Sequence, residues 1–273
     1  MQDQYLKPTA STAQQCRLCR GTLRLMFKSV LLKKYEIEYF KCAECYSLQT
    51  EAPYWLDEAY GENLSNLDTG AAQRNIHNWA ACYVISKLFG VKNVIDMGGG
   101  DGLLCRLLRD HGINCYVKDR YASPSYAQGF TEPNFDTPDL VLGFEVLEHF
   151  ASPAQDLNDI FKYNSRVVLL STELYAAQTK EWWYLTPDSG QHIFFYSQQA
   201  IMLIAKQYGY SLVVSGGFIL FIRGDVSPVK KIIARFLLKA RICRLLKPLV
   251  VMLPCPGVGS DHALQIEKTK ETS

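Results

Sequence analysis

The sequence predicts an α/β protein: a mostly parallel sheet with helical crossovers, closed by an antiparallel hairpin and preceded by a small cysteine-rich module. Three observations predict it. Short apolar strand candidates alternate with helical segments from Val91 onward. The run NVIDMGGGDGLLCRLL joins a buried strand to a helix through a glycine turn. Two Cys-x-x-Cys pairs, Cys16 with Cys19 and Cys42 with Cys45, bracket a strand-like KKYEIEYFKC segment.

Composition bounds the class. A chain of 273 residues with 48% hydrophobic and 21% charged content can bury one substantial core and a small appended module. The opening MQDQYLKPTASTAQQC is polar, and no run of about 18 uncharged apolar residues occurs, so a cytoplasmic protein is expected. A net charge of +2 supplies no global field to recruit nucleic acid or a membrane. Local patches must therefore carry any such contact. Nine cysteines, an odd number in a reducing setting, argue for metal binding and buried thiols before disulfides. Cys82, Cys105, Cys115, Cys243 and Cys255 lie in apolar segments and read as buried thiols.

Four regions follow. Residues 1–50 form the module: Cys-x-x-Cys, twenty-two residues, then Cys-x-x-Cys offers four thiolates at the spacing of a tetrahedral, closed, structural zinc site, with free thiols as the alternative. The basic residues around it, Arg17, Arg20, Arg24, Lys28, Lys33, Lys34 and Lys41, read either as phosphate contacts or as a solvated face. Residues 51–72 read as a linker. Within the main domain, 73–225, a helix over Asn75–Phe89 presents Ile76, Trp79, Ala80, Tyr83, Val84 and Leu88 on one face. Strands are predicted at Asn93–Met97, Cys115–Lys118, Leu140–Phe144, Val167–Ser171, Ser211–Ser215 and Phe218–Arg223. The last two are too close for a crossover helix and should form a hairpin through Gly216 and Gly217. Ser197 caps a helix that buries Ala200, Ile201, Ile204 and Ala205. Residues 226–273 form a basic amphipathic segment. From Val229 to Leu253 it has no acids, and its helix should stop before Pro248.

The glycine turn is specific in its spacing. Counting from Gly98, the sixth position of a nicotinamide fingerprint would be Leu103, whereas Gly98, Gly100 and Gly102 give GxGxG, preceded by Asp96. This resembles motif I of the class I S-adenosylmethionine-dependent methyltransferases. The resemblance implies a Rossmann-like sheet and S-adenosyl-L-methionine as cofactor. It also implies a methionine moiety on the turn and ribose hydroxyls on an acid after the second strand, here Asp119. The stretch Ser123–Pro138 is proline-rich with no clear strand and departs from the family, so the adenine pocket goes unassigned.

PDLVLGFEVLEHFASP resembles the family's fourth strand and the loop beyond it, which brings Glu145, Glu148 and His149 toward the donor methyl, with Glu145 assigned to both cofactor and catalysis. GQHIFFYS adds His192 in a loop. Methyl transfer from a sulfonium needs alignment, exclusion of water and, where the acceptor carries a proton, a base, a task suited to neutral His192 or His149. Glu145, Glu148, His149 and His192 also resemble the ExxEH plus distant histidine set of small-RNA and ubiquinone-pathway O-methyltransferases, which implies a second divalent ion. A purely structural role, capping or pairing, is the third reading. In TELYAAQTKEWWYLTPDSGQH, Trp182, Trp183 and Tyr184 read equally as a stacking surface or as core.

The combination of cysteine module, motif I, EVLEH and GQHIFFYS is similar to bacterial methyltransferases of sugar and polysaccharide biosynthesis, over roughly residues 16–223. It implies methyl transfer to oxygen or carbon of a small, sugar-type acceptor. An RNA methyltransferase and a noncatalytic cofactor-binding scaffold are the alternatives. The basic segment Val229–Leu253 either lies on an anionic membrane surface, placing the protein at the inner face of the membrane, or packs on the sheet with its cations in water.

Overall fold

A computed structural model describes residues 15–61 and 69–271; the polar opening 1–14, the middle of the expected linker, 62–68, and the last two residues lie outside the described residues. Contacts divide the chain into two units, Met1–Thr69 with Leu147–Asp159 and Thr172–Gln207, and Gly70–Val146 with Ile160–Ser171 and Tyr208–Ser273.

The first unit holds an antiparallel sheet of β1 (Leu23–Leu31), β2 (Tyr35–Cys42), β3 (Leu48–Thr50) and β8 (Phe194–Phe195), in that order. The expected ribbon is thus larger than the cysteine module, because GQHIFFYS returns to add a strand to β3. Helix α1 (Leu56–Gly61) occupies part of the segment expected as linker, and its Ala59 is buried. Tyr39, Trp55, Tyr184 and Phe195 build an aromatic core, with Trp55 Nε1 donating to the Gly190 carbonyl at 2.8 Å.

The second unit is a six-stranded sheet of β4 (Asn93–Met97), β5 (Asn114–Lys118), β6 (Leu140–Phe144), β7 (Val167–Ser171), β9 (Tyr210–Ser215) and β10 (Phe218–Arg223). Its order is β5-β4-β6-β7-β10-β9, with β5, β4, β6 and β7 parallel and β10 antiparallel to both β7 and β9. Four strands coincide with their predicted bounds, and the other two begin one residue earlier, at Asn114 and Tyr210. No strand forms between β5 and β6 among the described residues, in keeping with the proline-rich stretch there.

Helix α2 (Ala71–Phe89) buries Trp79, Ala80, Ala81, Cys82, Ile85, Ser86 and Phe89, a wider arc than the predicted face, while Ile76, Tyr83, Val84 and Leu88 are half-buried. The cause is tertiary: α2 is in contact with α6 (Pro228–Leu237) and α7 (Ala240–Val251) as well as with α3 (Leu103–Asp110). Along the chain, helix α4 (Pro153–Phe161) lies between β6 and β7 and helix α5 (Gln198–Tyr208) precedes β9, and the Ser197 hydroxyl accepts from the Ala200 amide at 3.0 Å, as its capping role requires.

The basic segment departs from expectation in two ways. It breaks at Leu238, whose carbonyl would lie only 2.0 Å from a Cβ at Gly216, so the hairpin turn packs directly on the helix junction. It also continues through Pro248 to Val251; the proline sits on the exposed side, where water can take the carbonyl it leaves unbonded. A further helix, α8 (Pro256–Glu271), was not predicted. It is pinned by Asp261, which accepts from Arg106 at 2.6 Å and from Arg109 at 2.6 and 2.7 Å. Burial raises the Asp261 carboxyl, but the hydrogen bonds from Arg109 and Arg106 outweigh it and hold the group below its ordinary value.

Candidate active site and metal centres

In the second unit, the glycine turn leaves the carboxyl end of β4, the strand at which the sheet order reverses and where α/β sheets open their ligand crevice. Gly98, Gly100 and Gly102 all have positive φ, at 69°, 53° and 77°. A Cβ at Gly98 would meet Val146 at 2.6 Å and one at Gly102 would meet Ala127 at 2.7 Å, whereas a Cβ at Gly100 would point into open space. The loop therefore needs glycine for packing at its ends and for conformation at its centre.

Three acids end adjacent strands around it. Asp119, after β5, accepts from the Gly100 amide at 2.9 Å through Oδ2 and from the Tyr121 and Ala122 amides at 2.8 Å through Oδ1. Glu145, after β6, has φ 52°, a left-handed conformation that costs a non-glycine residue roughly 1 kcal/mol. Its amide donates to Ser171 Oγ at 3.2 Å, and Ser171 Oγ donates to Glu145 Oε1 at 2.7 Å. Asp96 is buried within β4, its Oδ2 has no hydrogen-bond partner among the described residues, and burial, reinforced by the charge of Asp119, pushes its carboxyl up to about 7. A buried carboxylate with an unused oxygen beside a glycine cradle fits a cationic, amide-binding ligand such as the methionine end of a sulfonium cofactor.

In the first unit, Glu148, His149 and His192 each offer one ligand atom, all within 4.8 Å of one another. Glu148 is fully buried, and the Tyr184 hydroxyl donates to its Oε1 at 2.6 Å. His192 Nδ1 lies 2.8 Å from the Tyr184 carbonyl, which can only accept, so Nδ1 carries the proton and Nε2 keeps its lone pair, 4.0 Å from Glu148 Oε1. His149 Nδ1 is 3.1 Å from the Tyr60 hydroxyl, and burial, then the neighbouring His192, draws its value down to about 3. The His149 ring is therefore neutral at cellular pH, as a base or a metal ligand must be. The sequence does not single out Tyr60, and it reads Tyr184 as a stacking surface or as core; no spacing signal marks either hydroxyl. Of its neighbours, Trp182 packs on Tyr175 and Phe195, while Trp183 is 69% exposed.

The four cysteines of the paired motifs also converge, with sulfur separations of 3.6 Å for Cys16 and Cys45 and 3.5 Å for Cys19 and Cys42. A tetrahedral zinc with bonds of about 2.3 Å spaces its sulfurs at about 3.8 Å. Each knuckle is closed by a residue in the left-handed conformation, Arg20 and Tyr46. Burial pushes the Cys42 thiol up to about 12, so an assembly of four thiolates calls for a cation. Three of the basic residues around the module have protein partners. Arg17 turns inward to donate to the carbonyls of Ile193 and Thr50, and burial lowers its value to about 10. Lys28 pairs with Glu36 and Glu38, and Lys34 with Glu58.

A parallel sheet, a glycine turn at its reversal point and acids ending the flanking strands define a Rossmann-like cofactor-binding protein. A methyltransferase-domain family model matches residues 66–215. The chain belongs to this family and is a class I S-adenosylmethionine-dependent methyltransferase. No curated protein matches it. Similar solved structures include magnesium protoporphyrin IX methyltransferase from Synechocystis PCC 6803 with bound SAH, 18% identical over 62% of this chain and 93% of that one, with a TM-score of 0.41. An O-methyltransferase family protein from Burkholderia thailandensis is 15% identical over 51% and 53%, with a TM-score of 0.39. The mitomycin 7-O-methyltransferase MmcR is 14% identical over 64% of each chain, with a TM-score of 0.45.

The elevated Asp96 carboxyl sets a pH dependence for a cationic ligand. Protonation below about 7 removes the charge that attracts it, so S-adenosylmethionine affinity should rise several-fold from about pH 6 to about pH 8 and then level off. Calorimetric titration across that range checks this, and Asp96→Asn should bind more weakly with no such rise.

Proposed function

We propose that the protein transfers the methyl group of S-adenosylmethionine to an oxygen or carbon of a small, sugar-type acceptor, with His192 as the base. The amides of Gly98, Gly100 and Gly102 and the carboxylate of Asp96 would take the methionine end of the donor. Asp119 Oδ2, which spends one lone pair on Gly100, has another for a ribose hydroxyl, and Glu145 borders the same crevice at the end of β6. The sulfonium supplies its own leaving group. The acceptor atom forms the new bond to the methyl carbon as the carbon–sulfur bond breaks, the electron pair returns to sulfur, and the acceptor proton passes to a base.

The observation that carries the assignment of that base is the 2.8 Å contact between His192 Nδ1 and the Tyr184 carbonyl, which fixes the tautomer and leaves Nε2 as a proton acceptor. Glu148, 4.0 Å from Nε2, would stabilise the imidazolium that forms. His149 is the weaker candidate, because its value is drawn far below neutrality. The sugar-type acceptor rests on the resemblance of the combined motifs. A second reading is favoured by the convergence of Glu148, His149 and His192: one carboxylate and two imidazoles fit a divalent ion such as manganese or magnesium, which would supply Lewis acidity and orient an acceptor oxygen. The paired cysteines would hold a structural zinc ion that contributes to folding of the first unit.

His192→Ala should lower kcat about a hundredfold or more with S-adenosylmethionine affinity unchanged, measured by methyl transfer to a panel of sugar and sugar-nucleotide acceptors. Full activity in that variant would remove the base. Activity lost on chelation and restored by manganese, with the cysteine-bound zinc retained, would assign the cluster to a metal instead. Elemental analysis should find about one zinc per chain, and Cys42→Ser should lose it together with thermal stability.

A further inference from the structure

Helices α6 and α7 each present two faces. One face is inward: Ala234 and Leu238, then Cys243 and Val250, are buried in the core of the second unit. The other faces water, yet it is apolar. On α6 the exposed Val229, Ile232, Ile233 and Phe236 recur at i, i+3, i+4 and i+7, a single stripe on the side opposite Ala234. On α7 the exposed Leu245, Leu249 and Met252, the last 82% accessible, form a second stripe opposite Cys243 and Val250. Such a stripe ordinarily faces a core, and no described residue covers these two.

Charge selects what does. Between Asp225 and Asp261 there is no acidic residue, while seven lysines and arginines fall in the same stretch. Arg235 flanks the α6 stripe, and Arg241 and Arg244 share the exposed side of α7. A second copy meeting this face across a two-fold axis would bring cation against cation with no acid to neutralise either. Nucleic acid would answer the cations but leave the apolar stripes against phosphate and sugar. An anionic lipid surface answers both, because acyl chains receive the stripe and headgroup phosphates receive its rim.

We infer that α6 and α7 form a docking face for an anionic lipid bilayer, lying in the plane of the headgroups. Helices of ten and twelve residues are too short to span, and among the described residues no single helix is long and apolar enough to cross a membrane. Helices α7 and α8 together have the length and composition for a bent span, but Asp261 pins α8 to Arg106 and Arg109 on α3. The junction is braced too, by the approach of Gly216 to Leu238, so the two stripes are presented by a fixed scaffold.

Co-sedimentation of the full chain with vesicles tests this. The protein should pellet with vesicles of phosphatidylcholine containing about 30% phosphatidylglycerol and bind phosphatidylcholine alone at least about tenfold more weakly. The double variants Ile232→Glu/Phe236→Glu and Arg241→Glu/Arg244→Glu should each lose about tenfold or more in binding to anionic vesicles, with Tm and cofactor affinity unchanged because all four side chains are exposed. Wild-type protein left in the supernatant with both vesicles would overturn the inference. So would a dimer in light scattering that Ile232→Glu/Phe236→Glu dissociates, or RNA binding lost in Arg241→Glu/Arg244→Glu with no vesicle binding in the wild type.

Discussion

The hydrogen bond from the Gly100 amide to Asp119 joins the turn after β4 to the end of β5, and the proposed donor site depends on it. The turn has positive φ at three glycines, a backbone with little intrinsic preference for one shape, and Asp119 holds its middle residue in place. Asp119 can do this because its other oxygen is fixed by the amides of Tyr121 and Ala122. Where the central residue would carry a side chain there is open space, and at the turn's two ends there is none. A loop so arranged keeps amides and an acid at the tops of adjacent parallel strands, where a small cationic cofactor can meet both.

The first unit solves a different problem, that of holding two imidazoles beside a buried carboxylate. Its cysteine knuckles take part at a distance. Arg17, between the first pair of cysteines, donates to the carbonyl of Ile193, the residue after His192, and the Ile193 amide donates to the Glu148 carbonyl. Ser197 donates to the carbonyl of Cys45 while capping α5. The loop that carries His192 is thus tied at several points to the cysteine module, which gives the ribbon a positioning role beyond its own stability.

Much of this was legible because the relevant signals are local. Strands β4 to β7 are short apolar runs separated by turn residues, and the spacing of Asp96 and the GxGxG glycines is local, while Asp119 was named through the family resemblance as a ribose-binding acid and not as the partner of the turn. Glu148, His149 and His192 were also named, through the resemblance of EVLEH and GQHIFFYS to segments of the family. What escaped is tertiary. Strand β1 exposes Leu25, Met26 and Val30, so its sequence shows no clean alternation, and its pairing with β2 decides its state. The break at Leu238 depends on a glycine turn more than twenty residues earlier, and α8 depends on an ion pair with α3. Arg17 looked like surface charge because nothing in its neighbourhood of the chain announces that Ile193, far along the sequence, supplies its acceptor. The hydroxyls of Tyr60 and Tyr184 escaped for the same reason.

Titration of the zinc-loaded protein with S-adenosylhomocysteine, the demethylated donor, tests the account most directly. Saturable heat at one site per chain, weakened about tenfold or more in Asp119→Ala, is the result the glycine turn and its acid require. No saturable heat in the wild-type protein would contradict it.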